Sequence, residues 1–147
     1  MAEIRFYGKY LPYPQFSNFW PAEIDIDGEK YKTSEHYYQS QKFPNTEYGR
    51  FVALAPTAAE AAKRGRDTFI LLRSDWDQVK DDVMLKALRA KFTQHNDLKK
   101  LLLDTGDSRL VEYTKNDSYW AEWEGAGLNK LGTLLMKVRS ELLFNSF

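Results

Sequence analysis

A carboxylate, a phenol, an amide and an amine share one face of a short predicted helix. The sequence places them at offsets of zero, three, four and seven residues, as Glu35, Tyr38, Gln39 and Lys42. With about 3.6 residues per turn, these offsets fall on the same side of a helix. Such a face could serve catalysis, although a glutamate and a lysine two turns apart are also typical of a solvated helix surface.

The carboxylate and the amine offer complementary chemistry. When a bond from a sugar anomeric carbon to nitrogen breaks, Glu35 could stabilise the positive charge, orient water or move a proton to the leaving base. Lys42 could attack an opened sugar aldehyde and form a Schiff base, provided that burial or a cationic neighbour lowers its pKa. Alternatively, Lys42 could anchor a phosphate.

Local signals frame the helix that carries these residues. Thr33 or Ser34 can cap its start. Pro44 disfavours a helical conformation for the residue before it, so we expect the helix to include Lys42 and to stop near Phe43.

Two further clusters could contact a ligand. Arg64 and Arg66 end an alanine-rich segment and could clamp a diphosphate, although cations also suit the end of a helix. Asn18 and Phe19 stand in a proline-flanked loop, which could form a pocket rim or could be pinned to the core by its aromatic residues.

A polar and aromatic segment near the carboxyl end offers another candidate. Asn116 and Asp117 could hold ribose hydroxyls while Trp120 stacks on a base. Alternatively, the two polar residues form a turn and the aromatic residues pack. A Gly-x-Gly precedes Asn129, and backbone amides there would suit an anion, but this short pattern is weak evidence.

The surrounding pattern predicts several helices and little β-structure. A hairpin is expected over residues 23–32, turning at Asp27-Gly28, with short strands near 3–7 and 109–113. A capping box opens a helix at 57–60 that should end near Gly65. Apolar spacing predicts further helices near 74–92, 96–106 and 131–142. We therefore expect one compact, mainly helical α+β domain over residues 1–147.

Composition restricts the classes of site and of partner. Lys plus Arg and Asp plus Glu both total 21, so no global field attracts nucleic acid or an anionic membrane, and an anionic ligand needs a local site. With no cysteine and two histidines, we expect no metal site. Neither a secretory signal nor an 18-residue apolar run is seen, so the expectation is no membrane partner and a cytoplasmic or nuclear location.

Six sequence blocks, taken together, resemble the NADAR family, also called YbiA-like. They follow the family's order and cover nearly the whole chain. The blocks are Phe-Ser-Asn-Phe at 16–19, Thr-Ser-Glu-His-Tyr-Tyr-Gln-Ser-Gln-Lys-Phe at 33–43, Ala-Ala-Lys-Arg-Gly-Arg at 61–66, Ala-Leu-Arg-Ala-Lys-Phe at 87–92, Asn-Asp-Ser-Tyr-Trp at 116–120 and Asn-Lys-Leu-Gly at 129–132.

The resemblance implies a mainly helical fold and an N-glycosidase activity that needs no cofactor. It implies two substrate classes: ADP-ribose attached to guanine bases in DNA or RNA, and the phosphoribosylamino-pyrimidine intermediates of riboflavin biosynthesis. We favour the first because Arg64, Arg66 and several tryptophans offer diphosphate and base contacts. A non-catalytic module that binds ADP-ribose or NAD derivatives is a further alternative.

Motif positions carry the family's site onto this chain. The motif glutamate and lysine fall on Glu35 and Lys42, which we expect to be catalytic. The expected ligand-contacting residues are Asn18, Phe19, Tyr38, Gln39, Arg64, Arg66, Trp76, Asn116, Asp117, Trp120 and Asn129. One departure follows Trp120, where Ala-Glu-Trp-Glu at 121–124 replaces the family's common Gly-Asp, so nothing is carried over to Glu122.

Overall fold

The computed structural model describes residues 2–144, which pack as two compact units. The central unit consists of Asn18–Lys91, and the terminal unit is formed by residues 2–17 and 92–144. Helices make up most of the regular structure in both units. The predicted mainly helical α+β class is therefore confirmed.

The central unit contains the predicted hairpin. Strand β2 (Ile24–Ile26) pairs antiparallel with β3 (Glu29–Tyr31). The turn residues Asp27 and Gly28 have φ angles of 53° and 85°. A two-residue turn of type I′ needs positive φ at both positions, which explains why an Asp-Gly pair connects these strands.

Within the central unit, a hydrophobic core joins the hairpin to one helix and to the part of a second helix that lies in this unit. The helices are α1 (Ser34–Ser40) and α4 (Trp76–Gln94). The buried members of the core are Ile24, Ile26, Tyr31, Tyr37, Ala87 and Ala90. Val83 of α4 packs against this core, so the apolar stripe that predicted α4 does face inward.

Helix α1 packs against two short helices, α2 (Glu47–Ala53) and α3 (Ala58–Gly65). A threonine directly precedes each of the three helices as its N-cap, and its hydroxyl accepts from the backbone N–H three residues later. The sequence did not predict α2, because Gly49 in its middle lowers helix propensity. A side chain at Gly49 would collide with the carbonyl of Phe43.

The terminal unit is built around a parallel strand pair. Strand β1 (Glu3–Phe6) pairs with β4 (Arg109–Glu112), which lies more than a hundred residues later. The two strands were expected, but their pairing was not. Helix α6 (Lys130–Leu143) packs on β4 and against α5 (Asn96–Asp104). Within residues 2–144, no helix combines the length and the apolar character that a bilayer crossing requires.

Candidate active site

The start of α1 is fixed by Thr33 and His36. The Thr33 hydroxyl accepts from the backbone N–H of His36 at 3.1 Å and lies 2.7 Å from His36 Nδ1. Nε2 of the ring lies 2.9 Å from the carbonyl of Ala55. A carbonyl can only accept, so Nε2 carries the proton. Burial lowers the pKa of His36, which makes it a neutral packing residue.

Asn18 connects the preceding loop to α1. Its backbone carbonyl accepts from the N–H of Glu35 at 3.2 Å. Its side-chain oxygen accepts from the Ser34 hydroxyl at 2.7 Å, and its amide nitrogen lies 3.4 Å from the sulfur of Met84. The side chain is buried. Asn18 therefore positions the first turn of the helix that carries Glu35.

Glu35 and Gln39 contact each other directly, one turn apart on α1. Gln39 Nε2 donates to Glu35 Oε2 at 2.7 Å, and the two residues are only 6% and 2% exposed. Glu35 thus points into the protein, and its carboxylate is held by an amide donor. In the part of the chain that the structure describes, Gln39 Oε1 has no hydrogen-bond donor.

Gly65 admits the Gln39 side chain, a role that the sequence interpretation missed. A side chain at Gly65 would collide with the oxygen of the Gln39 amide. The signal was a glycine at the end of an alanine-rich helix, which was interpreted only as a helix stop. Its φ is not in the left-handed region, so close approach, rather than a turn, explains the glycine.

Lys42 lies just after α1 rather than on it, which corrects the predicted helix end. The helix ends at Ser40, and the N–H of Lys42 reaches back only three residues, to the carbonyl of Gln39, at 3.3 Å. This tighter turn is common where a helix ends before a proline. The Lys42 amine donates to the carbonyl of Gly65 at 3.2 Å.

Two aromatic rings form the apolar wall beside the Lys42 amine. The rings of Tyr38 and Trp76 have centroids 5.1 Å apart, and Lys42 Nζ lies 5.9 Å from each centroid. Both aromatic residues are largely buried. A cation near such rings gains some attraction but loses most of its hydration.

The pKa of Lys42 is lowered from its ordinary value to about 8. Burial is the main cause, and the cations Arg66 and Lys80 act in the same direction, whereas the Glu35 carboxylate raises the pKa. A neutral amine is therefore accessible near neutral pH. Lys42 therefore meets the condition for acting as a nucleophile, because burial and cationic neighbours lower the pKa of its amine.

The two arginines at the end of α3 differ in their surroundings. The Arg64 guanidinium donates to the carbonyl of Phe51 at 2.7 Å and lies 3.8 Å from the centre of the Phe51 ring. It also lies 3.5 Å from the Glu60 carboxylate. Arg66 is exposed and acts electrostatically on Lys42. Of these two arginines, Arg66 is the one whose charge lowers the pKa of Lys42, while Arg64 is hydrogen-bonded to α2.

Phe19 lines a separate groove of about 500 Å³ in the central unit. Its ring is 45% exposed. The other lining residues are Pro21, Glu23, Lys32, Thr33, His36, Pro56, Thr57 and Ala58. Neither Glu35 nor Lys42 is among the residues that line this groove.

Four predicted ligand residues lie in the terminal unit. The Asp117 carboxylate accepts from the backbone N–H groups of Tyr119 at 2.9 Å and Trp120 at 2.8 Å. These bonds form a turn, as the alternative interpretation of this segment expected. The half-buried Trp120 ring lies edge-on to Tyr119, with centroids 5.0 Å apart. Asn116 is exposed, and its amide lies 3.5 Å from the hydroxyl of Tyr7.

Asn129, the fourth of these residues, precedes α6. Its amide nitrogen donates to the carbonyl of Leu110 at 3.0 Å, and its side-chain oxygen accepts from the N–H of Glu112 at 3.1 Å. It is buried and adopts a left-handed φ of 48°. Both polar ends of the side chain therefore attach α6 to β4.

Two residues of the segment that departs from the family pattern after Trp120 have partners within the terminal unit. Glu122 pairs with Arg109 through two contacts of 2.7 and 3.1 Å, and this partner lowers the pKa of the Glu122 carboxyl. The Trp123 ring packs on Tyr113 with centroids 4.7 Å apart. Both residues thus have packing roles within the terminal unit.

Comparison with known proteins identifies the family. The NADAR domain model matches residues 5–143. The chain is 47% identical over 140 residues to N-glycosidase YbiA of Escherichia coli strain K12, covering 95% of this chain and 88% of that protein. It is 39% identical over 127 residues to riboflavin biosynthesis protein VVA0006 of Vibrio vulnificus, covering 86% of this chain and 35% of that protein.

A solved structure agrees with this relationship. The NMR structure of the E. coli protein YbiA matches with a TM-score of 0.90 and 44% sequence identity, covering 99% of this chain and 87% of that one. The fold and sequence matches therefore extend over the same, nearly complete length. The chain belongs to the NADAR domain family and is a hydrolase of the N-glycosidase class.

Proposed function

We propose that this N-glycosidase removes ADP-ribose from guanine bases in nucleic acid, with Glu35 and Lys42 as its catalytic residues. The arrangement of these two side chains carries the proposal. A buried carboxylate is oriented by Gln39 at 2.7 Å, and it influences an amine that two aromatic rings shield from water. A shielded, partly neutral amine is the form of lysine that attacks carbonyl-like carbons.

The proposed reaction begins with attack by Lys42. Its neutral amine adds to the anomeric carbon, and the bond from that carbon to the guanine nitrogen breaks with the electron pair leaving on the base. Glu35 takes the proton from the new C–N centre and delivers it to the departing base. The bond from the anomeric carbon to the ring oxygen then breaks, Glu35 moves the second proton of the Lys42 nitrogen to that oxygen, and the opened sugar is left as an imine on Lys42.

Water completes the cycle. It adds to the imine carbon, the Lys42 amine leaves, and ADP-ribose is released with the lysine regenerated. Glu35 orients this water and moves its two protons to the departing Lys42 nitrogen. The side chains of Glu35 and Lys42 carry out every proton transfer in these reaction steps.

The predicted ligand contacts receive unequal support. Arg66 is an exposed cation linked electrostatically to Lys42, so we assign it to the diphosphate. Arg64 would have to leave Phe51 to join it. Gln39 Oε1 could accept from a ribose hydroxyl, and Tyr38 and Trp76 offer aromatic rings beside the amine.

The remaining assignments stay predictions from the family resemblance. They are the ligand contacts of Asn18, Phe19, Asn116, Asp117, Trp120 and Asn129. We also propose that both units form one NADAR domain over residues 1–147. The family model supports this assignment because it continues through both units, from residue 5 to residue 143.

A second substrate class is favoured by the names of some relatives. The Vibrio vulnificus relative is named a riboflavin biosynthesis protein, and a phosphoribosylamino-pyrimidine also carries a ribosyl carbon bonded to nitrogen. The same pair of residues could cleave that bond. A non-catalytic binding module is no longer proposed, because the chain is an N-glycosidase.

Sugar release from the two substrates tests the proposal. The purified chain is incubated separately with an oligonucleotide carrying ADP-ribosylated guanine and with the phosphoribosylamino-pyrimidine. We expect a higher kcat/KM, by about tenfold or more, for the oligonucleotide. The opposite order would overturn the nucleic-acid assignment and favour the riboflavin intermediate.

A matched pair of variants tests the catalytic role of Glu35. We expect Glu35→Gln to lose about 10²–10⁴-fold in kcat, the range typical of a general acid–base group. Glu29→Gln, at an exposed position in the hairpin, is the control and should retain activity. Full activity in Glu35→Gln would exclude the proposed proton transfer.

A further inference from the structure

The connection between α3 and α4 exposes large apolar side chains. This connection, residues 66–75, is named the apolar loop here. Phe69 is 95% exposed and Leu71 is 94% exposed, and Leu72 is 42% exposed. Single exposed apolar residues are ordinary, but adjacent ones of this size on one loop are typical of a binding surface.

The shape of the apolar loop is set by its own hydrogen bonds. The Asp67 carboxylate accepts from the N–H of Phe69 at 2.9 Å, and the Asp67 carbonyl accepts from the N–H of Ile70 at 3.4 Å. The chain is thus turned so that the Phe69 and Leu71 side chains face solvent. A preformed loop loses less conformational entropy when it binds a partner.

Both ends of the apolar loop are bonded to Lys42. The lysine amine donates to the carbonyl of Gly65, directly before the loop, at 3.2 Å. The backbone carbonyl of Lys42 accepts from the N–H of Arg73, near the end of the loop, at 2.9 Å. The exposed apolar side chains therefore belong to the segment attached on both sides to the proposed nucleophile.

Exposed cations stand just before and at the start of the apolar loop, and the loop itself also carries the acidic residues Asp67 and Asp75. Lys63 and Arg66 are exposed cations at the end of α3. With Arg66 assigned to the diphosphate of ADP-ribose, Lys63 remains for a phosphate of the strand. Arg73 is bound to Asp75 at 2.6 Å and is not counted.

We propose that the apolar loop binds the nucleotides beside the modified guanine in a single-stranded nucleic acid. Phe69 stacks on a neighbouring base and Leu71 packs against the base or sugar, while Lys63 meets a backbone phosphate. This inference rests on the proposed function, since it describes the strand that presents the substrate to Lys42. It makes the loop the determinant that favours a polymer over a free nucleoside.

Two substrates and one double variant test this proposal. The substrates carry the same ADP-ribosylated guanine, either within a single-stranded oligonucleotide or as the free nucleoside. We expect Phe69→Ser/Leu71→Ser to lose about tenfold or more in kcat/KM on the oligonucleotide, as the loss of base stacking implies. On the nucleoside we expect a change of less than about twofold.

Controls separate a contact from a folding defect. Leu54→Ser removes another exposed apolar side chain, 73% exposed, from the same unit, and should leave both activities unchanged. Because Phe69 and Leu71 are almost fully exposed, their double variant should keep the wild-type Tm. Equal loss on both substrates, or no loss on either, would overturn the proposal.

Two further measurements cover the remaining outcomes. Light scattering that showed a wild-type dimer, absent in the double variant, together with unchanged oligonucleotide activity, would assign the loop to self-association and overturn the proposal. If the wild-type chain cleaved only the phosphoribosylamino-pyrimidine, the proposed function would fail by itself. Fluorescence anisotropy with an unmodified single-stranded oligonucleotide would then decide: about tenfold weaker binding by the double variant supports the loop assignment, and equal binding excludes it.

Discussion

The reactivity of Lys42 depends on a balance among neighbouring side chains. The shared face of Glu35 and Gln39 could be recognised in the sequence, because helix geometry converts spacing into a shared face, whereas Lys42 lies just beyond the end of the helix. The desolvation of the amine could not, because Trp76 comes from another helix, more than thirty residues away. The pKa of Lys42 is therefore a property of the packed unit.

The pH dependence of catalysis follows from this balance. If the neutral amine attacks, kcat/KM should rise with pH as Lys42 loses its proton, with an inflection near pH 8. Lys80 lowers the pKa of Lys42, so Lys80→Ala should move the inflection to higher pH. Lys86→Ala is the control, because its amine pairs with Asp27 at 2.8 Å. An inflection that does not move in Lys80→Ala would contradict this account of the amine.

Substitution of Asn129 tests whether its side chain stabilises the fold through its hydrogen bonds to β4. In Asn129→Ala, the N–H of Glu112 and the carbonyl of Leu110 lose their partners, and the left-handed φ becomes less favourable. We expect a loss of about 2 kcal/mol in the free energy of unfolding, measured by urea denaturation. Asn116→Ala, at an exposed position, should change it by less than about 0.5 kcal/mol. Similar values for the two variants would contradict the positioning role.

At the scale of elements, turn and capping residues predicted the features that depend only on neighbouring residues in the chain. The Asp-Gly turn specified the β2–β3 hairpin, and Thr57 with Glu60 specified the start of α3. Helix α2 was missed because Gly49 lowers helix propensity, and the close approach of Gly49 to the Phe43 carbonyl, where a side chain would collide, is visible only in the structure. The pairing of β1 with β4 was also missed, since no local signal reports contacts between segments so far apart.

The contact between α1 and α3 should be sensitive to Gly65. In Gly65→Ala, the new methyl group collides with Gln39, and overpacking of this kind costs about 1–3 kcal/mol. We expect a lower Tm and a lower kcat, because displacement of Gln39 also releases the Glu35 carboxylate. Lys63→Ala, at an exposed position of the same helix, should retain the wild-type Tm. A Gly65→Ala protein with unchanged Tm and kcat would show that the close approach is unimportant.

At the scale of the whole molecule, a net charge of zero places any recognition of a polyanion in local surfaces. The composition predicted this much, whereas apolar spacing and helix caps predicted the helical class. It could not show that residues 2–144 divide into two compact units, because both units have ordinary globular composition. The family motifs are distributed over both units, which explains why their order along the chain was more informative than any single block.

Salt dependence should report how local the nucleic-acid contacts are. One strand phosphate bound by Lys63 predicts that the ratio of kcat/KM on the oligonucleotide to that on the nucleoside falls with salt, with a log–log slope of about −0.7. The diphosphate is present in both substrates and cancels in this ratio. A slope of about −3 or steeper would require several more phosphate contacts than the apolar loop and Lys63 provide, and a slope of zero would exclude the Lys63 contact.

The central claim is that the Lys42 amine bonds to the anomeric carbon during turnover. Reduction with borohydride in the presence of ADP-ribosylated guanine oligonucleotide, followed by peptide mass spectrometry, tests it most directly. The account predicts a stable adduct with the mass of the reduced sugar on Lys42, and no adduct in Lys42→Ala, which should also be inactive. An unlabelled Lys42 in the wild-type protein, together with full activity in Lys42→Ala, would contradict it.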